Sequence, residues 1–188
     1  VDVTVDFAPA NGTPTAGADY TASSGTVTIP KGATTGSISV PVTSDELDEA
    51  DETFTVTLSD AQNATIGDGS ATGTITDENG APSLSIGDVT VTEGHTGTVN
   101  AVFTVTLTAA SGQPVSVDVA TANGTASAGT DYVEKTVTVD LAAGATSAIV
   151  EVVINGDRLD EANETFLVNL SNAENADIAD AQATGTIT

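Results

Sequence analysis

Two clusters of acidic side chains are the residues of this chain best suited to chemistry. Each contains one Asp and two Glu within a short segment: Asp45, Glu49 and Glu52 in the first, Asp157, Glu161 and Glu164 in the second. Crowded carboxylates repel one another unless a cation neutralises them, and Ca²⁺ accepts about six to eight oxygen ligands in flexible geometry. The clusters indicate either a Ca²⁺ site or a solvated acidic surface that confers solubility or salt tolerance, and spacing alone leaves both open.

Further carboxylates lie at the ends of other predicted strands. Asp19 and Asp131 each occupy a Gly-x-Asp-Tyr turn, and Asp77 and Glu78 follow the last strand of a repeat. Alternate loops of a β-sandwich converge at one end of the domain, so these acids are expected to approach the clusters. The sequence therefore makes a multi-loop oxygen cage geometrically reasonable.

The chain is an internal duplication. Residues 1–76 align without a gap on residues 113–188, each residue corresponding to one 112 positions later. Such a period is too long for a solenoid unit and matches a whole small domain. We expect a tandem array in which the first module comprises residues 1–78, a linker residues 79–82, and the second module residues 83–188.

Alternating apolar and Thr or Ser residues predict half-buried β-strands throughout the chain. Examples are the apolar positions of residues 3–7, 38–42 and 54–58 and their repeats in the second module. About seven short strands per hundred residues predict tandem immunoglobulin-like antiparallel β-sandwiches. Only the second module contains opening strands, near residues 84–86, 89–91 and 101–107. The first sandwich is therefore expected to be incomplete at its N-terminal side.

Composition restricts the partners of the chain. Lys and Arg total 3 against 27 Asp and Glu, for a net charge of −24. This field repels nucleic acids and anionic lipid, and no apolar run approaches the ~20 residues of a membrane helix. We predict no nucleic-acid binding and no membrane insertion. An acidic, Lys-poor, Thr-rich chain without Cys is typical of bacterial proteins that are secreted or held at the cell surface.

The chain has no Met and begins at Val1, inside the repeat. The counterpart of residues 77–112 is therefore missing in front of the first module. We expect either a piece of a longer array or a first module that is completed by a neighbouring repeat or an identical chain.

Several motifs in a fixed order resemble the Calx-beta domain family. They are Gly17-Ala18-Asp19-Tyr20, the run from Gly25 to Gly32, Asp45 through Phe54, and Ile66 through Glu78. The second module repeats this series and adds Val91-Thr92-Glu93-Gly94 as an opening motif. The resemblance implies an immunoglobulin-like β-sandwich, and some family members bind Ca²⁺ at one end of it. The family occurs in sodium–calcium exchangers, an integrin tail and large bacterial surface proteins.

The resemblance also implies a ligand set for Ca²⁺ in each module. Carried over position by position, it is Asp19, Asp45, Glu49, Glu52, Asp77 and Glu78 in the first module, and Glu93, Asp131, Asp157, Glu161 and Glu164 in the second. The first module lacks an opening-strand Glu and the second lacks the terminal acids. Each site is therefore incomplete in this sequence.

The favoured interpretation is a non-enzymatic, Ca²⁺-binding structural or adhesive repeat segment of a large extracellular bacterial protein, with an unknown adhesive target. One alternative is a subunit of a self-assembling fibre completed by strand donation between chains. Another is a Ca²⁺-sensing regulatory module. Catalysis is disfavoured because His95 is the single His and no Cys is present. Tyr20 and Tyr132 are expected to be structural rings whose hydroxyls bond to the backbone.

Overall fold

The computed structural model describes residues 1–13, 18–159 and 161–188. Gly17 of the first Gly-x-Asp-Tyr motif lies outside the described residues. The described residues form strands, turns and bends without helices, and none of them makes a helix with the length and apolar character of a membrane span. Their backbone contacts divide the chain into two compact units.

The first unit consists of Val1–Glu46 and Ala50–Glu78. It holds four strands, β1 (Val3–Ala10), β2 (Gly25–Ile29), β3 (Glu52–Gln62) and β4 (Ser70–Ile75). They form one antiparallel sheet in the order β2-β1-β3-β4. This unit therefore presents a single sheet among its described residues.

The second unit consists of Asn79–Thr188 together with Leu47–Glu49. Its strands are β5 (Ser83–Ile86), β6 (Val89–Val91), β7 (Gly97–Leu107), β8 (Val115–Asn123), β9 (Thr136–Leu141), β10 (Ser147–Gly156), β11 (Glu164–Glu174), β12 (Asp177–Ile178) and β13 (Gln182–Ile187). One sheet has the order β10-β7-β5-β12 and the other β6-β13-β11-β8-β9. The predicted β-sandwich fold is confirmed. The short strands β6 and β12 depart from it by pairing in parallel with β13 and β5.

Side chains from both sheets of the second unit form its core. Inward-facing residues of β7, β8, β10 and β11 alternate with exposed ones, as the period-two pattern of the sequence requires. Phe166 lies at the centre, stacked on Tyr132 at 4.7 Å between ring centroids and met edge-on by Phe103 at 5.8 Å. The core thus joins the turn that carries Asp131 to the start of β11.

The duplication is visible in the structure down to single dihedral angles. Asp60 and Asn63 of β3 and the segment after it have positive φ values, and so do their repeats Asn172 and Asn175. Asp and Asn tolerate this left-handed conformation better than most residues. The Asn63 side chain donates to the Asp2 carbonyl and the Asn175 side chain to the Pro114 carbonyl, and these two carbonyls are also repeats of one another.

One predicted strand is wrong. Residues 38–42 carry the alternating pattern, yet residues 33–41 form no strand, and Val42 makes only an isolated bridge with Tyr20. Their repeat in β10 is a strand because it pairs with β7 over ten residues, from Ser147 opposite Thr106 to Gly156 opposite Gly97. Among the described residues of the first unit, no strand pairs with residues 38–42 in the way that β7 pairs with β10.

Candidate metal centre

Five acidic side chains of the second unit are carried on loops and strand ends. Asp157 directly follows β10, Glu164 is the first residue of β11, and Glu161 lies in the loop between them. Glu93 follows β6, and Asp131 lies in the turn before Tyr132. We call these five residues the Glu161 cluster.

The cluster contains two overlapping groups of carboxylates. One is Glu93, Asp157 and Glu161, and the other is Asp131, Glu161 and Glu164. In each group the candidate ligand oxygens all lie within 4.8 Å of one another. Glu161 belongs to both groups, so it is the residue through which the two are connected. All donors are carboxylate oxygens, the ligand type that hard divalent cations prefer.

Backbone hydrogen bonds hold Asp131 in a tight turn. Its Oδ2 accepts from the Ser127 N–H at 2.7 Å, and its own N–H donates to the Ser127 carbonyl at 3.0 Å. The carbonyl of Asp131 accepts from the Asn155 N–H at 2.9 Å, at the end of β10. The carboxylate is therefore fixed relative to the strand that leads into Asp157.

Asn123 stabilises this turn through two hydrogen bonds to its side chain. Its Oδ1 accepts from the Tyr132 hydroxyl at 2.7 Å and from the Ala128 N–H at 2.9 Å. The expectation that the tyrosine hydroxyls bond to the backbone is therefore wrong, since Tyr20 likewise donates to Asn11. In the sequence, the Asn-Gly pairs indicated turns. The one sequence signal for the contact between Asn and Tyr side chains is that each Asn-Gly pair begins nine residues before a Tyr.

The segments that carry Glu93 and Asp157 approach each other closely. A Cβ atom on Gly156 would lie 2.0 Å from the Gly94 carbonyl oxygen, so only glycine fits there. The Glu93 N–H donates to the Thr188 carbonyl at 3.1 Å, and Asp157 Oδ1 accepts from the Leu159 N–H at 2.7 Å. These contacts bring the opening motif beside the acidic loop.

The electrostatics of the cluster disfavour full ionisation. The pKa of Glu161 is raised by partial loss of hydration and then by the carboxylates of Asp157, Asp131 and Glu93. The pKa of Glu164 is raised by loss of hydration, by the charge of Asp131 and by a hydrogen bond shared with Asp131. A divalent cation would reverse both effects, because it replaces lost hydration and turns repulsion into attraction.

The first unit has a smaller counterpart. One carboxylate oxygen of Asp19 and one of Glu52 lie within 4.8 Å of each other, and both residues are partly buried. The pKa of Glu52 is raised by loss of hydration and then by the charge of Asp19. Another predicted ligand, Glu49, belongs to the second unit by its backbone contacts. The neighbouring Asp48 carbonyl accepts a hydrogen bond from the Gly112 N–H of that unit.

Three predicted ligands of the first unit lie outside the carboxylate groups found among the described residues. They are Asp45, Asp77 and Glu78. Asp45 lies in the loop before Glu46, and Glu78 is exposed. The backbone N–H of Asp77 donates to Asp51 Oδ1 at 3.1 Å, which orders the end of this module through an acid that the sequence did not single out. Their role as ligands stays a prediction.

The family model that matches this chain is that of the Calx-beta domain, at residues 1–79 and again at residues 81–188. The chain belongs to the Calx-beta family. The two matched segments follow the internal duplication, so the chain carries two Calx-beta modules. No curated protein matches the chain.

The solved structures to which the chain is similar include Calx domains. The apo-form Calx CBD1 domain is 24% identical, with a TM-score of 0.49, over 56% of this chain and 95% of that one. CBD12 from CALX1.2 is 17% identical, with a TM-score of 0.48, over 99% and 87%. The calcium binding domain CBD12 of CALX1.1 is 21% identical, with a TM-score of 0.41, over 92% and 69%.

Removing the side chain of Asn123 is expected to loosen the turn of the second Calx-beta module. Asn123→Ala leaves the buried Tyr132 hydroxyl and the Ala128 N–H without their acceptor, which costs about 1–3 kcal/mol of unfolding free energy. Denaturant unfolding measures this loss, and a titration with Ca²⁺ measures the effect on Asp131. Asn11→Ala is the matched control, because it removes the same acceptor in the first module. An unchanged Ca²⁺ affinity in the Asn123→Ala variant would contradict the role of Asn123 in positioning Asp131.

In divalent-free buffer, mild acidification is expected to stabilise the second module. The folded-state pKa values of Glu161 and Glu164 lie above the ordinary value of 4.5, so the folded chain binds these protons more tightly than the unfolded chain. This contribution is complete below pH 4.5 and is lost as pH rises through the raised pKa values. Unfolding midpoints across this range measure it, and the slope should flatten in the double variant Glu161→Gln/Glu164→Gln. An unchanged slope would assign the effect to other carboxylates.

Proposed function

We propose that this chain is a non-enzymatic Ca²⁺-binding segment of a repeat array. The observation that carries the proposal is the Glu161 cluster. In each of its two carboxylate groups the candidate ligand oxygens lie within 4.8 Å of one another, and Glu161 belongs to both groups. A catalytic role is disfavoured because His95, the single His of the chain, is exposed and no Cys is present, so a Ser-His-Asp or Cys-His centre has no support.

Calcium suits the donor set of the cluster. Its members offer only carboxylate oxygens, without the His or Cys ligands that favour zinc or copper. Ca²⁺ accepts irregular arrangements of about six to eight oxygens, whereas Mg²⁺ requires a near-ideal octahedron. Bound Ca²⁺ would supply positive charge at this end of the sandwich. The residues that would hold it are Asp131, Glu161 and Glu164 in one group and Glu93, Asp157 and Glu161 in the other.

The biological role that fits best is structural or adhesive, in a large extracellular bacterial protein. Tandem duplication and a net charge of −24 support a secreted or surface-exposed array. Bound Ca²⁺ would order the loops at the end of the module and so stiffen the array. The adhesive target would bind the array in this stiffened form.

A calorimetric titration of the chain with Ca²⁺ tests this role against regulatory sensing. Extracellular modules bind Ca²⁺ with dissociation constants of about 10⁻⁴–10⁻³ M, whereas sensors lie near 10⁻⁷–10⁻⁵ M. We expect the weaker range. A sub-micromolar constant accompanied by a change in the radius of gyration would identify a sensor instead.

A second candidate function is assembly between chains by strand donation. It is favoured by the first unit, whose described residues form a single sheet where those of the second unit form two. Electron microscopy at increasing chain concentration tests this candidate, with polymers expected; a chain that stays monomeric and stable at all concentrations would reject it.

A further inference from the structure

The strand β10 is an edge of its sheet in the second unit, which has the order β10-β7-β5-β12. Its even-numbered residues bond to β7, as the Thr146 carbonyl just before the strand does by accepting from the Leu107 N–H. Its odd-numbered residues point the other way, where the Val153 carbonyl accepts from the Val133 N–H at 2.8 Å. Among the described residues, no strand pairs with residues 147–151 on that side. We call residues 147–151 the free edge.

The free edge lacks the features that keep natural sheet edges apart. β10 pairs with β7 in one register over ten residues, so no bulge turns it away. Residues 147–151 contain no Pro and no Lys, and Glu151 is their one charge. Ile149 is 66% exposed, and Val102 of β7, its diagonal neighbour on the same face of the sheet, is 44% exposed. The free edge therefore combines available backbone groups with an exposed apolar side chain.

The exposed Ile149 is particular to the second module. Its repeat in the first module is Ser37, and the residues two positions away on either side of that Ser are Thr35 and Ser39. Alternate residues of a strand face away from the core, so this position needs no apolar side chain for folding. The apolar surface of Ile149 is therefore available to a partner.

The free edge is complementary to itself. Antiparallel pairing of two copies about a two-fold axis at Ile149 places each Ile149 opposite the other, and each Ser147 opposite Glu151 of the other copy. All three residues direct their N–H and C=O groups outward, so each pair exchanges two hydrogen bonds. A register centred one residue later would need Val153, which already bonds Val133, and one centred one residue earlier would need Ala145, which lies outside β10.

Charge permits this register. Copies with a net charge of −24 repel each other, but here each Glu151 meets a Ser hydroxyl, which can donate to it. The two Glu151 residues are offset by four positions, or roughly 13 Å along the strands, which exceeds the screening length of about 8 Å at physiological ionic strength. Five paired residues a side are fewer than the roughly 20–30 of a standard interface, so the complex is expected to be transient.

We propose that the free edge is a docking site for a second copy of this chain, in which β10 pairs with β10 about a two-fold axis at Ile149. Two sheets thereby become one continuous sheet, and two arrays are held side by side. The pairing uses no carboxylate of the Glu161 cluster, so it is independent of Ca²⁺. It closes on itself, so it yields dimers, whereas strand donation from chain to chain yields polymers.

A single introduced Cys tests the register, because the chain has no Cys of its own. Opposite residues of a hydrogen-bonded antiparallel pair have Cα atoms about 5.5 Å apart, a distance that a disulfide spans. Ile149→Cys in EDTA under mild oxidation should therefore form covalent dimers. Ser147→Cys is the matched control, since its own copy lies roughly 13 Å away. We expect cross-linking of Ile149→Cys to be at least about tenfold faster.

Sedimentation of the unmutated chain in EDTA at rising concentration measures the dimer, and hydrogen exchange locates it. Exchange at residues 147, 149 and 151 should slow as dimers form, whereas residues 148, 150 and 152, already bonded to β7, should be unchanged. Ile149→Lys should weaken dimerisation at least about tenfold, because it places like charges directly opposite each other. Ile66→Lys, which makes the same change at an exposed position of the first unit, should leave dimerisation unaltered.

Three results would overturn the inference. They are a monomeric chain at about 1 mM, where a dissociation constant near 1 mM would place half of the chains in dimers, equal cross-linking of the two Cys variants, and a dimer of unchanged affinity in Ile149→Lys. Polymers in place of dimers would also overturn it and would favour strand donation. None of these results bears on Ca²⁺ binding, which the calorimetric titration measures separately.

Discussion

Millimolar Ca²⁺ is expected to raise the unfolding midpoint of the second Calx-beta module, and Glu161→Gln is expected to remove most of the rise. Glu161 contributes to both carboxylate groups, so its loss weakens both at once. For a dissociation constant of about 10⁻⁴–10⁻³ M, 1 mM Ca²⁺ is about one to ten times that constant, so binding contributes roughly 0.4–1.4 kcal/mol, or roughly 2–11 °C for a domain of this size. Calorimetry measures the midpoint, and hydrogen exchange in β8 and β11 assigns it to the second module.

Glu151→Gln is the matched control for charge. Glu151 lies exposed on β10, opposite Val102, and its substitution changes the net charge by the same amount outside the cluster. We expect this variant to keep the full Ca²⁺ response, and Mg²⁺ at equal ionic strength to produce little of it. Equal responses to Ca²⁺, Mg²⁺ and plain salt, or equal losses in both variants, would identify a solvated acidic surface in place of a metal centre.

Truncating the same leucine in the two modules is expected to have unequal costs. Leu170 is 5% exposed within the covered core, so Leu170→Ala should lower the unfolding free energy of the second module by about 2–5 kcal/mol. Leu58, its repeat in the first module, is only half-buried. Leu58→Ala should cost less than about 2 kcal/mol, since little apolar contact is lost.

Urea unfolding of both variants, at a chain concentration where the protein is monomeric, measures this difference. Local hydrogen exchange in β3 and β11 separates the two modules if their transitions overlap. The comparison controls for residue type, strand position and neighbouring sequence, because the modules are repeats. Equal costs would mean that Leu58 is as well covered as Leu170.

The strands were predictable where the pattern and the partner are both present. Val115, Val117 and Val119 alternate with polar residues, and all three lie in the core of the second unit. Residues 38–42 alternate equally well and form no strand. A period-two pattern reports which side chains would face a core, whereas a strand also needs a neighbouring ladder for its N–H and C=O groups.

Most members of the Glu161 cluster were predictable from the sequence, whereas the way they divide into two carboxylate groups was not. Acids at Asp157, Glu161 and Glu164 share one loop, and convergence of sandwich loops favoured Asp131 as a neighbour. Glu93 entered only through the resemblance to Calx-beta domains. Asn123 was interpreted as a turn residue, because an amide side chain that supports a tyrosine hydroxyl leaves no distinctive pattern in the sequence.

The duplication, the β-rich modules, the acidic character and the family could all be recognised without coordinates, because each depends on residue types and their order along the chain. Only the tertiary structure decided that Glu161 connects two carboxylate groups and that Asn123 supports the turn of Asp131. It also decided that Val40 and Val152, repeats of one another, differ in burial. The physical reason is that burial and cation-binding geometry depend on partners distant in sequence, and identical residues with different partners meet different surroundings.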